Sequence, residues 1–160
     1  MKKTILTVAM LLTIIICHAE KGHAVTNVPG NVLASASKQY EQVHFKKWEK
    51  KNDTFIARFT SSKRKHSAYY LADGTWVKTE TKIPWSWKLP EAVKNSFDKT
   101  AYTSWYIDEM KQIESPGKNL FVIQVHHSYA PDGAIPGSFD DVCKLYFDAN
   151  GSLLNKEHKE

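Results

Sequence analysis

The sequence predicts an α+β fold made of tandem units, each a helix followed by a four-stranded antiparallel sheet. Three observations carry this expectation. Two proline-led amphipathic stretches, opening at Pro29 and Pro90, each precede a run of strand-like alternation. Two hairpins of one design close those runs, at Asp73-Gly74 and Asn150-Gly151. The chain has 160 residues, 42% of them hydrophobic and 12% aromatic, which supplies one core or two small fused ones and excludes a multidomain enzyme.

The N-terminus predicts the compartment. Lys2 and Lys3 precede an apolar and Thr stretch from Ile5 to Cys17, which ends in Cys17-His18-Ala19, the three-part layout of a secretory signal peptide. That stretch is short for a membrane span, and no stop-transfer segment follows it. Cleavage is expected after Ala19, with Ala24 as the alternative site. Lipid anchoring at Cys17 competes with this reading, but Ile16 stands where a lipoprotein peptidase prefers a small residue. The expected destination is the periplasm or the exterior, which argues against a nucleic-acid partner and against a stable membrane span. Without residues 1–19 the chain keeps 20 Lys and Arg against 17 acidic residues, a charge of +3. Cys143 is then left without a second cysteine, and an intramolecular disulfide is excluded.

The first unit, residues 20–84, reads in order. Val32, Leu33, Ala36 and Tyr40 recur at helical spacing and predict a helix over Asn31–Tyr40, with Pro29 in its first turn. Val43 to Trp48 alternates as a first strand, the polar cluster Lys50 to Asp53 turns the chain, and Phe55 to Thr60 returns. Ser61 to Lys65 forms a further turn, Ser67 to Leu71 a third strand, and Thr75 to Ile83 a fourth. The second unit, residues 85–160, repeats the order. A helix runs from Pro90 to about Lys99, with Ala92, Val93, Ser96 and Phe97 as its stripe. Strands follow at Tyr102–Ile113, Leu120–His127, Val142–Asp148 and Ser152–Lys156, the first two turning at Ser115-Pro116-Gly117. The helix-opening prolines lie 61 residues apart and the hairpin glycines 77 apart. The difference of 16 is expected as an insertion, which includes a loop from Tyr129 to Asp141. Neither half has a large core, so the two sheets are expected to pair or to extend one another.

Charge divides the halves. Lys38 to Lys82 carries 11 basic and 5 acidic residues, whereas Ile83 to Glu160 carries 8 and 11. A basic face of this kind suits an acidic partner, although Lys63, Arg64 and Lys65 also read as a solvated turn.

The blocks Ala72-Asp73-Gly74-Thr75-Trp76-Val77-Lys78-Thr79-Glu80-Thr81, Leu89-Pro90-Glu91-Ala92-Val93 and Leu145-Tyr146-Phe147-Asp148-Ala149-Asn150-Gly151-Ser152-Leu153-Leu154 resemble an exported PepSY-like, beta-lactamase-inhibitor-like family common in Bacteroidetes. The resemblance spans about Tyr40 to Leu154. It implies a duplicated helix-plus-four-strand unit and a non-enzymatic binding role, and it transfers no inhibitory residue. One departure is Tyr40-Glu41 at the first helix exit, where the family often has an aromatic-Pro pair.

Catalytic constellations are weak. Cys143 with His126 or His127 invites a Cys-His nucleophile, but Cys143 shares a strand face with Leu145 and Phe147 and is expected to be a buried structural thiol. His126 and His127 are strand neighbours that point to opposite faces, which argues against joint metal ligation. His44, His66 and His158 read as exposed strand or turn residues. Asp132-Gly133 and Asp140-Asp141 lack the acidic alternation of a calcium loop. No cofactor and no metal is expected, and no catalytic residue is assigned.

Binding candidates are Trp85 and Trp87 in the proline-bounded connector, and Tyr129, Asp132 and Phe139 in the long loop. Two roles are open for the tryptophans, interface anchors or apolar plugs beneath the second helix, with the plug as the default. Trp76 and Trp105 are expected in the core. The leading expectation is a non-catalytic module that offers one sheet face and adjoining loops to a protein, peptide or cell-envelope ligand. An inhibitor of a secreted or periplasmic hydrolase is the alternative, and a Cys-His hydrolase a third class.

Overall fold

The computed structural model describes residues 22–129 and 139–159. The expected signal peptide at 1–19 lies outside the described residues. Within them the chain forms helix α1 (Gly30–Gln39), helix α2 (Glu91–Phe97) and nine strands: β1 (His23–Ala24), β2 (Phe45–Lys51), β3 (Thr54–Ser61), β4 (Arg64–Leu71), β5 (Trp76–Lys82), β6 (Tyr106–Ser115), β7 (Lys118–Tyr129), β8 (Phe139–Asp148) and β9 (Leu153–Lys159). Every strand pairs antiparallel with its chain neighbour, in one sheet of order β1 to β9. The sheet is thus continuous across β5 and β6, in the register Thr79 to Glu114 and Lys82 to Lys111.

Both helices start for the same physical reason. Pro29 and Pro90 stand at the N-caps with φ near −55°, preset by their rings, and their carbonyls accept the first helical bonds from Leu33 and Lys94. The prolines thus precede the first turn, one position before the place expected for them. Helix α1 buries Val32 and Ala36, and helix α2 buries Val93 and Phe97.

Two apolar clusters result, both on the helix-covered face of the sheet. Val32 and Ala36 pack with Phe55, Ala57, Phe59, Ala68 and Tyr70; Val93 and Phe97 pack with Ile83, Leu89, Phe121, Ile123, Leu145 and Phe147, among others. Between them the same face carries Thr79, Thr81, Gln112 and Glu114 on β5 and β6, where Gln112 donates to Glu114 and to Asn119. This polar strip separates the two cores.

Each core is closed by a hairpin turn pressed on the start of its helix. Gly74 and Gly151 adopt φ of +91° and +85°. A Cβ at Gly74 would meet Asn31 O at 2.7 Å and Ser35 Oγ at 2.9 Å; one at Gly151 would meet Ala92 O at 2.4 Å and Ser96 Oγ at 2.9 Å. Only glycine satisfies both the left-handed backbone and the close approach. The contacted helix residues differ by 61 positions and the glycines by 77. Register shifts fall at matching places too, at Phe45/Lys47 and Ile107/Glu109, and at Tyr69/Tyr70 and Tyr146/Phe147.

Boundaries are corrected at β6 and at the long loop, and one strand is added. Strand β6 begins at Tyr106 rather than Tyr102, because Thr100 Oγ1 bonds to Phe97 O and accepts from Tyr102 N, holding residues 100–105 in turns. The expected loop from Tyr129 to Asp141 narrows, since β7 reaches Tyr129 and β8 opens at Phe139, with those two residues in register. The edge strand β1, only two residues long, was not expected.

Candidate binding surfaces

The helices leave the opposite face of the sheet uncovered. On it, Glu49 accepts from Arg58 Nε and Nη2 at 3.0 and 2.8 Å and pairs with Lys47 at 3.0 Å, while Arg58 Nη1 donates to Ser67 at 2.7 Å. The hydrogen bonds from Arg58 are the main reason that the Glu49 carboxyl titrates below its ordinary range. Glu80 joins the two halves of this face, bound by Lys78 at 2.6 Å and Lys111 at 3.3 Å. Desolvation opposes ionisation of Glu80, but the two lysines outweigh it and its pKa is lowered. Ile56 and Val122 are buried although they belong to this face; long neighbours such as Arg58, Tyr69, Lys111 and Tyr146 cover them with their stems and rings. At the start of β6, Tyr106 is 70% exposed and stacks on His126, whose Nδ1 pairs with Asp108.

The connector between β5 and α2 gives the plainest aromatic surface. Residues Ser86–Lys88 form one 3₁₀ turn, which brings the rings of Trp85 and Trp87 into parallel stacking at 5.2 Å between centroids. They are 56% and 66% exposed. The expectation that they plug the core is thus overturned: Ile83 and Leu89, at the two ends of the connector, fill that place. Trp76 and Trp105 pack against the two cores as expected, both only partly buried.

The remaining candidates separate. Tyr129 and Phe139 pair through their backbones at the ends of β7 and β8, and Asp132 lies outside the described residues. Asp140 accepts a hydrogen bond from Ser128. Among the described residues no group of three or more His, Cys, Asp or Glu side chains is placed to hold a metal ion.

Cys143 is fully buried with Leu145 and Phe147, as its strand face predicts. Its histidine neighbour is neither of the two expected: His158 Nε2 lies 3.9 Å from Sγ and 3.2 Å from Tyr102 Oη. Burial pushes the thiol pKa up, more than Tyr102 and Lys156 lower it. This is the reverse of an activated nucleophile. His126 and His127 do part to opposite faces, one against Tyr106 and the other against Trp105. His66 corrects its expectation as an exposed residue, since its ring stacks on Phe59, accepts or donates at Thr81 Oγ1, and donates to Ser61 O. The missed residue, His158, sits one strand over in the register Cys143 to His158, a contact that requires knowing the β8–β9 pairing.

No family model and no curated protein matches the chain. Solved structures do. A DUF2874 family protein from Bacteroides ovatus aligns with a TM-score of 0.73 and 24% identity over 84% of this chain and 89% of its own. A BLIP-like protein from Bacteroides fragilis aligns with a TM-score of 0.71 and 24% identity, over 84% and 88%. The chain has the BLIP-like fold. A third protein, from Bacteroides eggerthii and described as a candidate periplasmic one, shares this fold with a TM-score of 0.70 and 17% identity, over 82% and 89%. The BLIP-like fold agrees with the beta-lactamase-inhibitor-like resemblance in the sequence, and no helix among the described residues is long and apolar enough to cross a membrane.

Proposed function

We propose that the protein is an exported, non-catalytic binding module that captures a protein partner through the Trp85–Trp87 connector and the uncovered sheet face beside it. The observation that carries this reading is the exposed, stacked tryptophan pair. Two large rings kept in water by a short proline-bounded turn lose little conformational freedom on binding, and such aromatics dominate interface energetics. Export is supported by the basic and apolar N-terminus and by the description of the Bacteroides eggerthii neighbour. The buried, deactivated Cys143 thiol supports a role without covalent chemistry.

The BLIP-like neighbour from Bacteroides fragilis favours a second reading, an inhibitor of a secreted or periplasmic hydrolase, with Tyr129, Asp132 and Phe139 as its contact loop. We also take the chain as a tandem duplication, with units at 20–84 and 85–160. The recurring offsets of 61 and 77 between the two helix–glycine contacts, and the matched register shifts, support it.

The test is affinity capture from a cell-envelope extract, with the wild type beside Trp85→Ala and Trp87→Ala. A partner should be retained by the wild type and lost by about 2 kcal/mol or more of affinity in each variant, with the thermal midpoint almost unchanged. Capture that is unaffected by either change would remove the connector from the interface. Loss of a hydrolase's inhibition on changing Tyr129 or Phe139 would favour the second reading.

A further inference from the structure

A row of cations crosses three strands of the uncovered face. Lys82 on β5 stands directly opposite Lys111 on β6, and the register that pairs His66 with Thr81 brings Lys65 on β4 opposite Lys82 from the other side. Like charges directly opposite one another destabilise a sheet. The nearby carboxylates relieve only the Lys111 end of the row. Glu80 is engaged by Lys78 and Lys111, and Glu109 reaches only Lys111, at 4.0 Å. Among the described residues no ion pair involves Lys63, Arg64, Lys65 or Lys82, and Lys65 and Lys82 are exposed.

The turn that adjoins the row carries a second cost. Ser62 and Lys63 between β3 and β4 both take positive φ, +49° and +61°. A two-residue hairpin turn of this kind favours Asn-Gly, because each side chain there strains the backbone. A lysine held in such a position, beside Lys65 and Lys82, which have no ion pair among the described residues, is what a recognition site retains at the expense of stability.

We propose that Lys65, Lys82 and Lys111, with Lys63 and Arg64 at the adjoining turn, receive an acidic segment of the partner protein, its Asp or Glu carboxylates laid across strands β4 to β6. The proposal rests on the protein-binding reading above and names the partner's chemistry. Strands are spaced about 4.8 Å apart, so three of them present a line of ammoniums roughly 10 Å long. Alternate side chains of an extended peptide, about 7 Å apart, fall within reach of these flexible stems. The course of the chain beyond the row favours a protein segment over an anionic lipid surface, because it leaves Lys82 through Ile83 and Pro84 into the exposed Trp85–Trp87 pair. A steering cationic row that adjoins an aromatic anchor is the make-up of a protein interface.

The experiment uses the whole exported chain and a fluorescein-labelled decaglutamate peptide, read by anisotropy at low and at physiological salt. The wild type should bind saturably at low salt and release on salt addition. Lys82→Glu should weaken binding about tenfold, whereas Lys118→Glu, the same charge change at the β6–β7 turn outside the row, should change it less than twofold. Without any peptide, Lys82→Glu should raise the melting temperature, because it sets an acid between two lysines, and Lys82→Gln should raise it less. Equal weakening by Lys82→Glu and Lys118→Glu would overturn the proposal, as would a lowered melting temperature in both Lys82 variants. Binding to vesicles of phosphatidylcholine with 30 mol% phosphatidylglycerol but not to decaglutamate would overturn it in favour of a membrane surface. Peptide binding that survives in Trp85→Ala and Trp87→Ala keeps the row even where the tryptophan anchor fails; loss of the row's selectivity with intact tryptophan-dependent capture sinks the row alone.

Discussion

Gly151 and Gly117 share a positive φ, of +85° and +71°, and differ in everything else. A methyl at Gly117 meets nothing within 4 Å, whereas at Gly151 it would lie 2.4 Å from the Ala92 carbonyl. Denaturant unfolding should therefore find Gly117→Ala about 1 kcal/mol less stable, the cost of the backbone alone, and Gly151→Ala lower by at least about 2 to 3 kcal/mol, because helix α2 must move away. Equal losses would mean that the turn does not bear on the helix. Glu49 makes a pH prediction. Its folded pKa is depressed, so its contribution is present above the unfolded carboxyl value of about 4.3 and is lost as pH falls through the folded one. Glu49→Gln should flatten the acid limb of stability below about pH 4.5 and leave the neutral-to-basic limb in shape; an unchanged acid limb would assign that limb to other carboxylates. Cys143 was legible from its strand face alone. His158, its actual neighbour, was not, since a contact between strands depends on a pairing that no single segment encodes.

At the scale of elements, alternation and proline placement were good guides, and local side-chain chemistry was the main source of error. The aromatic run Tyr102 to Tyr106 has high strand propensity, yet Thr100 captured the backbone and delayed β6 to Tyr106. The connector misled in the opposite sense: Ser86–Lys88 coils into a turn, so two rings expected under α2 stack in solvent instead. The β3–β4 turn supports a prediction of its own. Replacing Ser62-Lys63 by Asn-Gly should stabilise the fold by about 1 kcal/mol, as relief of left-handed strain requires, and should weaken decaglutamate binding at the same time. A gain in stability without any loss of binding would detach this turn from the row of lysines.

Across the whole molecule, two cores share one sheet but not one interior. The strip of Thr79, Thr81, Gln112 and Glu114 stands between them, and β5 joins β6 over the short register from Thr79–Glu114 to Lys82–Lys111, continued by the bond from Ile83 N to Met110 O. Phe97→Ala should cost about 3 to 5 kcal/mol, and hydrogen exchange should quicken in α2 and β6–β9 well before β2–β4. Uniform quickening would show that the strip transmits cooperativity rather than interrupting it. The chain-order sheet also bears on assembly. Because each strand pairs with the one just before it in sequence, contacts are local and loop-closure costs stay small. A chain threaded N-terminus first through a narrow pore can dock every strand as it emerges onto an edge that is already waiting, with no need to hold an early segment idle for a late one.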